Sequence, residues 1–145
     1  MSERHPCGSE AWFDAVAEVA ERLTRERGHE ITDAYEVVEI YTDAPAAYAD
    51  EDGSIAWHVV ASPGKLGVGR GDLPSPNVRI TMTYDTVLPL MRIVIADDDD
   101  VRARIAQVTG AAQADGRMRV EVLGPARPSN PLGSAFHDGV AAVTA

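Results

Sequence analysis

Apolar residues first recur with a helical period. Trp12, Val16, Val19 and Leu23 draw one stripe along a helix from about Glu10 to Arg27. Ser9 stands where an N-cap belongs, and Gly28 where a left-handed residue would end the helix. Glu18, Glu21, Arg22, Arg25 and Glu26 fall mostly on the other side, so the stripe covers a core.

From Tyr35 the period changes to two. Val38 and Ile40 alternate with Val37, Glu39 and Tyr41, which predicts a strand ending near Thr42. Ile55, Trp57 and Val59 alternate with Ala56, His58 and Val60 in a second strand, after a polar loop at 44–53. Ser62-Pro63-Gly64 marks a turn into a short, glycine-interrupted strand from Lys65 to Arg70. Beyond the loop Gly71–Pro76, Val78, Ile80, Met82 and Tyr84 alternate with Asn77, Arg79, Thr81 and Thr83 in a fourth strand.

Asp85 then reads as the cap of a helix, Thr86–Ala96, that is apolar nearly all round and must be buried or face a cavity. Asp97–Asp100 caps a further helix over Val101–Ala114, where its carboxylates meet the positive end of the dipole. Met118, Val120 and Val122 form a fifth strand against Arg119, Glu121 and Leu123. An irregular segment, Gly124–Pro131, leads to a last helix from about Leu132, with Leu132, Phe136, Val140 and Val143 at helical spacing. The order is α-β-β-β-β-α-α-β-α. Strands that come as a block predict an α+β class with a five-stranded, mostly antiparallel sheet covered by helices.

Length and charge narrow the use of such a fold. A chain of 145 residues suits a single domain over 1–145, with 1–8 expected to be a flexible terminus. The net charge of −10 argues against nucleic acid and against an anionic membrane surface. No run approaches the ~20 apolar residues of a membrane span, so no stable membrane insertion is expected. Cys7 is the one cysteine, which excludes an internal disulfide and suits a reducing, cytoplasmic setting. Twelve of the 13 basic residues are arginine, a usage that points to a GC-rich bacterial genome.

Few residues suggest chemistry. His5, His29, His58 and His137 have no partner at a metal-ligand spacing, and no metal or cofactor is expected. Gly64, Gly67, Gly69 and Gly71 run into Leu73-Pro74-Ser75-Pro76, which cannot open the helix that a phosphate cradle needs. Glu36, Glu39 and Glu121 each sit opposite an apolar face and read as solvent-facing. The distinctive set is apolar: Trp57, Met82, Met91, Met118 and Phe136 come from separate elements and are of the adaptable type that lines cavities or fills cores.

The chain resembles the sterol carrier protein 2 (SCP-2) family. The resemblance rests on Ser9-Glu10-Ala11-Trp12-Phe13 in the opening helix, on Pro76-Asn77-Val78-Arg79-Ile80-Thr81-Met82, on the apolar helix that follows, and on Asp115-Gly116-Arg117-Met118-Arg119-Val120. It spans about Ser9–Gly124 and departs from the family at the acidic loop 44–53 and at Gly124-Pro125. The end Val143-Thr144-Ala145 is no peroxisomal tripeptide, which suits a bacterial member.

What the resemblance implies is a helix-covered sheet with an apolar tunnel for a lipid, fatty acyl chain or sterol, carried with no catalytic residues. On that fold, periodicity assigns the wall to Trp57, Met82, Leu88, Met91, Ile95 and Met118, with Phe136 as a lid. Two other uses stay open. One is a small enzyme on an apolar substrate, with His58, Tyr84 or His137 as its polar group. The other is a non-catalytic interaction domain, including a homodimer.

Overall fold

The computed structural model describes residues 3–124 and 131–145. Residues 125–130 of the irregular segment expected at Gly124–Pro131 lie outside the described residues. The elements are α1 (Glu10–Arg27), β1 (Tyr35–Thr42), β2 (Ile55–Ser62), β3 (Lys65–Arg70), β4 (Val78–Thr83), α2 (Tyr84–Met91), α3 (Asp99–Ala114), β5 (Met118–Val122) and α4 (Gly133–Val143). The class is α+β.

The sheet has five strands in the order β3-β2-β1-β4-β5. It is mixed: β1 pairs with β4 in parallel, and the other neighbours are antiparallel. The parallel pair arises because β2 and β3 meander away on one side of β1, and the chain then returns to lay β4 on the other. β1 is therefore central. Its register places Glu39 opposite Trp57 on one side and Ile80 on the other, and Tyr41 opposite Ile55 and Met82. Helices cover the face that carries these residues. α1 packs on β3 and α4, α2 on β4 and β1, and α3 on β5.

The α1 stripe is buried as its spacing predicts, with Trp12, Val16, Val19 and Leu23 joined by Phe13 and Ala20. Ser9 caps it by accepting from the Trp12 N–H at 3.2 Å. Gly28 departs from its expected role: its φ is −55°, right-handed, and the chain continues into a 3-10 turn. The reason for glycine here is proximity, because a Cβ would lie 2.5 Å from the Gly64 carbonyl oxygen. Gly28→Ala must shift one backbone against another, and a loss of about 1–3 kcal/mol is expected by urea denaturation.

Within the terminus expected to be flexible, residues 5–7 are tied down. The His5 N–H donates to Val143 and His5 accepts from Ala145, at 2.8 and 2.9 Å. Cys7 is fully buried, and its carbonyl accepts from the Tyr84 hydroxyl at 2.8 Å.

The apolar helix is also shorter than its composition suggests. α2 starts at Tyr84, straight from the end of β4, and stops at Met91 rather than Ala96. Groups from α4 take over the backbone that would have continued it. The Asp138 carboxylate accepts from the Ile95 and Ala96 N–H groups at 2.7 and 2.9 Å, and the His137 ring meets the Ile93 carbonyl at 2.9 Å. Asp98 is the N-cap of α3, accepting from Asp100 and Val101, while Asp97 and Asp99 pair with Arg102.

Candidate functional site

A cavity of about 300 Å³ lies between the covered face of the sheet and α2, α3 and α4. That is the lower end of the ~300–1,000 Å³ typical of ligand pockets. The floor comes from β1, β2, β4 and β5 through Val37, Val59, Trp57, Ile80, Met82 and Met118. The helices form its other walls: α2 with Val87, Leu90 and Met91, α3 with Ile105 and Thr109, and α4 with Phe136, His137 and Val140.

Of the residues expected to form the wall, Trp57, Met82, Met91, Met118 and Phe136 line this space, while Leu88 and Ile95 do not. Both misses follow from the helix. Val87, Leu90 and Met91 turn one face of α2 toward the sheet, and Leu88 lies off that face, half-buried against the core. Ile95 is beyond the helix end, buried, with its N–H held by Asp138.

Aromatic rings anchor one end of the cavity. Trp57 packs edge-to-face on Trp12 with centroids 5.3 Å apart, and Phe136 tilts over Trp57 at 6.4 Å. Trp12 in turn meets Phe13 edge-on at 5.0 Å.

Glu39 overturns the expectation of a solvent-facing acid. Val37, Glu39 and Tyr41 form the inner side of β1, and Glu39 lines the cavity. The Trp57 Nε1–H donates to the Tyr41 hydroxyl at 2.8 Å, and that hydroxyl donates to Glu39 Oε1 at 3.1 Å. Burial pushes the Glu39 carboxyl above its usual range, and the Tyr41 hydrogen bond opposes this only in part. Burial, reinforced by Glu39 and Cys7, drives the Tyr41 phenol well above its own. The Cys7 thiol is pushed up to about 12 by burial first and by Glu39 second. An inert thiol is the consequence.

No protein-family model matches the chain, and no curated protein matches it. Solved structures do. A conserved hypothetical protein of Thermus thermophilus, with a suggested sterol-carrier assignment, superposes with a TM-score of 0.53 at 11% identity, covering 99% of this chain and 96% of its own. The fold is SCP-2-like. The sterol carrier protein domain 2 of Helicoverpa armigera gives 0.48 at 15% identity, over 98% of this chain and 96% of that one. A crystal structure of sterol carrier protein 2 gives 0.44 at 12% identity, over 93% and 91%.

Within this SCP-2-like frame the three polar candidates separate. His58 sits on the other face of the sheet, its Nδ1 2.8 Å from the Gly71 carbonyl and its ring against Gly69. Tyr84 is occupied by the Cys7 carbonyl, and its phenol is pushed up to about 12, chiefly by burial. His137 alone of the three lines the cavity, and its Nε2 must donate to the Ile93 carbonyl, which can only accept. Glu39, His137 and Thr109 are thus the polar side chains, among the described residues, in an otherwise apolar lining. Such a space can hold an apolar molecule and meet one polar end. No helix of the described residues is long and apolar enough to cross a membrane.

Proposed function

We propose that this chain binds an apolar small molecule in the cavity and carries it without covalent chemistry, as a cytoplasmic bacterial lipid carrier. The ligand class is a lipid, fatty acyl chain or sterol-like molecule, with Trp57, Met82, Met91, Met118 and Phe136 as contacts. The observation that carries this reading is a lining that is almost wholly apolar around about 300 Å³. Burying a ligand's apolar surface there contributes roughly 25 cal/mol per Å² before the costs of association. The SCP-2-like fold supports the same reading, and the net charge of −10 disfavours nucleic acid as a partner.

Native mass spectrometry of freshly purified protein tests it. The expected result is a discrete added mass that disappears on denaturation, or uptake of an added fatty acid or sterol. A clean apo mass that resists loading would sink the proposal.

Filling the space gives a second check. Thr109 is half-buried on α3 and lines the cavity, so Thr109→Phe directs a ring into it. Ligand uptake is expected to fall at least about tenfold while stability changes by less than about 1 kcal/mol, since the ring enters space already present beside a half-buried position. Unchanged uptake would place the ligand elsewhere.

A further inference from the structure

The hydrogen bonds around Glu39 run in one direction. The indole N–H of Trp57 can only donate, so Tyr41 Oη accepts it and spends its own hydrogen on Glu39 Oε1. Among the described residues, that is the hydrogen bond the Glu39 side chain makes, and it forms no ion pair with them. The side chains beside it in the register, Trp57 and Ile80, and those before and after on its face, Val37 and Tyr41, bring no cation. Glu39 is half-buried, and an ionised carboxylate here would keep one oxygen without a protein donor in a space walled almost wholly by apolar side chains, an unfavourable arrangement for a charge. A neutral carboxylic acid instead accepts from Tyr41 through Oε1 and offers an O–H from Oε2.

We propose that the cavity selects an apolar ligand whose polar end is a hydrogen-bond acceptor without charge, a ketone or ester carbonyl, and that Glu39 donates to it as a neutral acid. This rests on the carrier reading and gives it a specificity. A pure hydrocarbon leaves the acid O–H unpartnered. A carboxylate adds a negative charge to an apolar space, and an ammonium group demands an ionised Glu39. A carbonyl satisfies the donor at no cost in charge.

Binding of an acceptor-only ligand is then linked to protonation. It is strongest where Glu39 holds its proton and weakens as pH rises and the proton leaves. Other titratable groups near Glu39 are Tyr41 on its own strand, Cys7 of the N-terminal segment and His137 of α4. The linings from α2, α3, β4 and β5 contribute no charged side chain among the described residues. Tyr41 and Cys7 keep their protons across pH 5–9, because burial raises both.

The test is uptake of 2-nonanone and of nonane by the purified full chain, measured by headspace gas chromatography between pH 5 and 9. Each is referred to its own partition from water into hexadecane. At the acid end the ketone is expected to exceed nonane by about tenfold on that reference, the worth of one buried hydrogen bond. The excess should fall as pH rises, while nonane stays flat. Glu39→Leu should abolish the excess and its pH dependence, and Glu39→Gln, whose amide can still donate, should keep an excess that no longer changes with pH. The carbonyl resonance of 13C-labelled ketone bound to the wild type should lie downfield of its position in hexadecane, and bound to Glu39→Leu it should not. Ketone and alkane taken up alike at every pH would overturn the inference and leave the carrier reading standing. Uptake of neither would also overturn the inference, and the native mass spectrum then decides the carrier reading separately. The wild-type comparison needs no substitution, so it decides even if Glu39→Leu fails to fold.

Discussion

Trp12→Ala is expected to lower the unfolding free energy by about 3–5 kcal/mol. Trp12 is fully buried, and three separate parts of the chain meet on it. Its ring packs edge-to-face with Phe13 on its own helix and with Trp57 of β2. Its indole N–H donates to Thr144 Oγ1 at 2.9 Å, beyond the end of α4. Truncation leaves a large void and removes the ring edge against which Trp57 is set, so the aromatic end of the cavity described above loosens as well.

Thr144 keeps one bond, since its hydroxyl donates to the Val140 carbonyl at 2.7 Å. The loss is therefore mainly one of packing. Urea denaturation followed by circular dichroism reads it, and a midpoint temperature lower by about 10 °C should accompany it in a chain of this size. Trp12→Phe should cost less, since it keeps an aromatic ring and loses only the donor and part of the area. Equal stability of Trp12→Ala and wild type would mean that α1 is not a structural cover for this core.

Glu39→Gln is expected to behave in the opposite sense, raising stability at pH 8 by about 1–3 kcal/mol, the scale of a buried group's desolvation. Burial places the folded carboxyl above its ordinary value of 4.5. Between 4.5 and that raised value the folded chain holds a proton that the unfolded chain has released. Stability then falls as pH rises through this window, and the loss is complete above it. Glutamine has no proton to lose and can still accept from Tyr41, so its profile lacks that fall. Unfolding free energies of both proteins at pH 5 and pH 8 measure this. The two should lie close at pH 5 and separate at pH 8, and parallel profiles would show that Glu39 carries no such burden.

Much of the architecture was legible because the signals are local. A repeat of three and four residues gives α1 its buried side, the Ser62-Pro63-Gly64 turn signal introduces β3, and alternation over Met118–Val122 gives β5. The same periods brought Trp57, Met82, Met91, Met118 and Phe136 toward one space, since each is the large apolar residue on the inward side of its element.

Other features had no local signal. Along β1 both alternating sets are apolar enough to be inner, and Val38 on the outer set is in fact fully buried. Pattern therefore cannot choose the side: it reads Glu39 as solvent-facing, and the structure turns it inward. Its place beside Val37 and Tyr41, in a strand with two apolar faces, was the hint that the strand is central. The end of α2 was equally illegible. Residues 92–96 are as apolar as the helix before them, and Asp138 and His137, more than forty positions away, decide where the hydrogen bonds go.

By itself the sequence determined the order and kind of the elements, the α+β class and most of the apolar lining, because these depend on side chains a few positions apart. Only the tertiary structure decided which face of β1 looks inward, that β4 lies parallel beside it, where α2 stops, and that an acid stands in the cavity wall. Those outcomes depend on which distant groups are free to satisfy a backbone or cover a face, and that is settled only when the whole chain has packed.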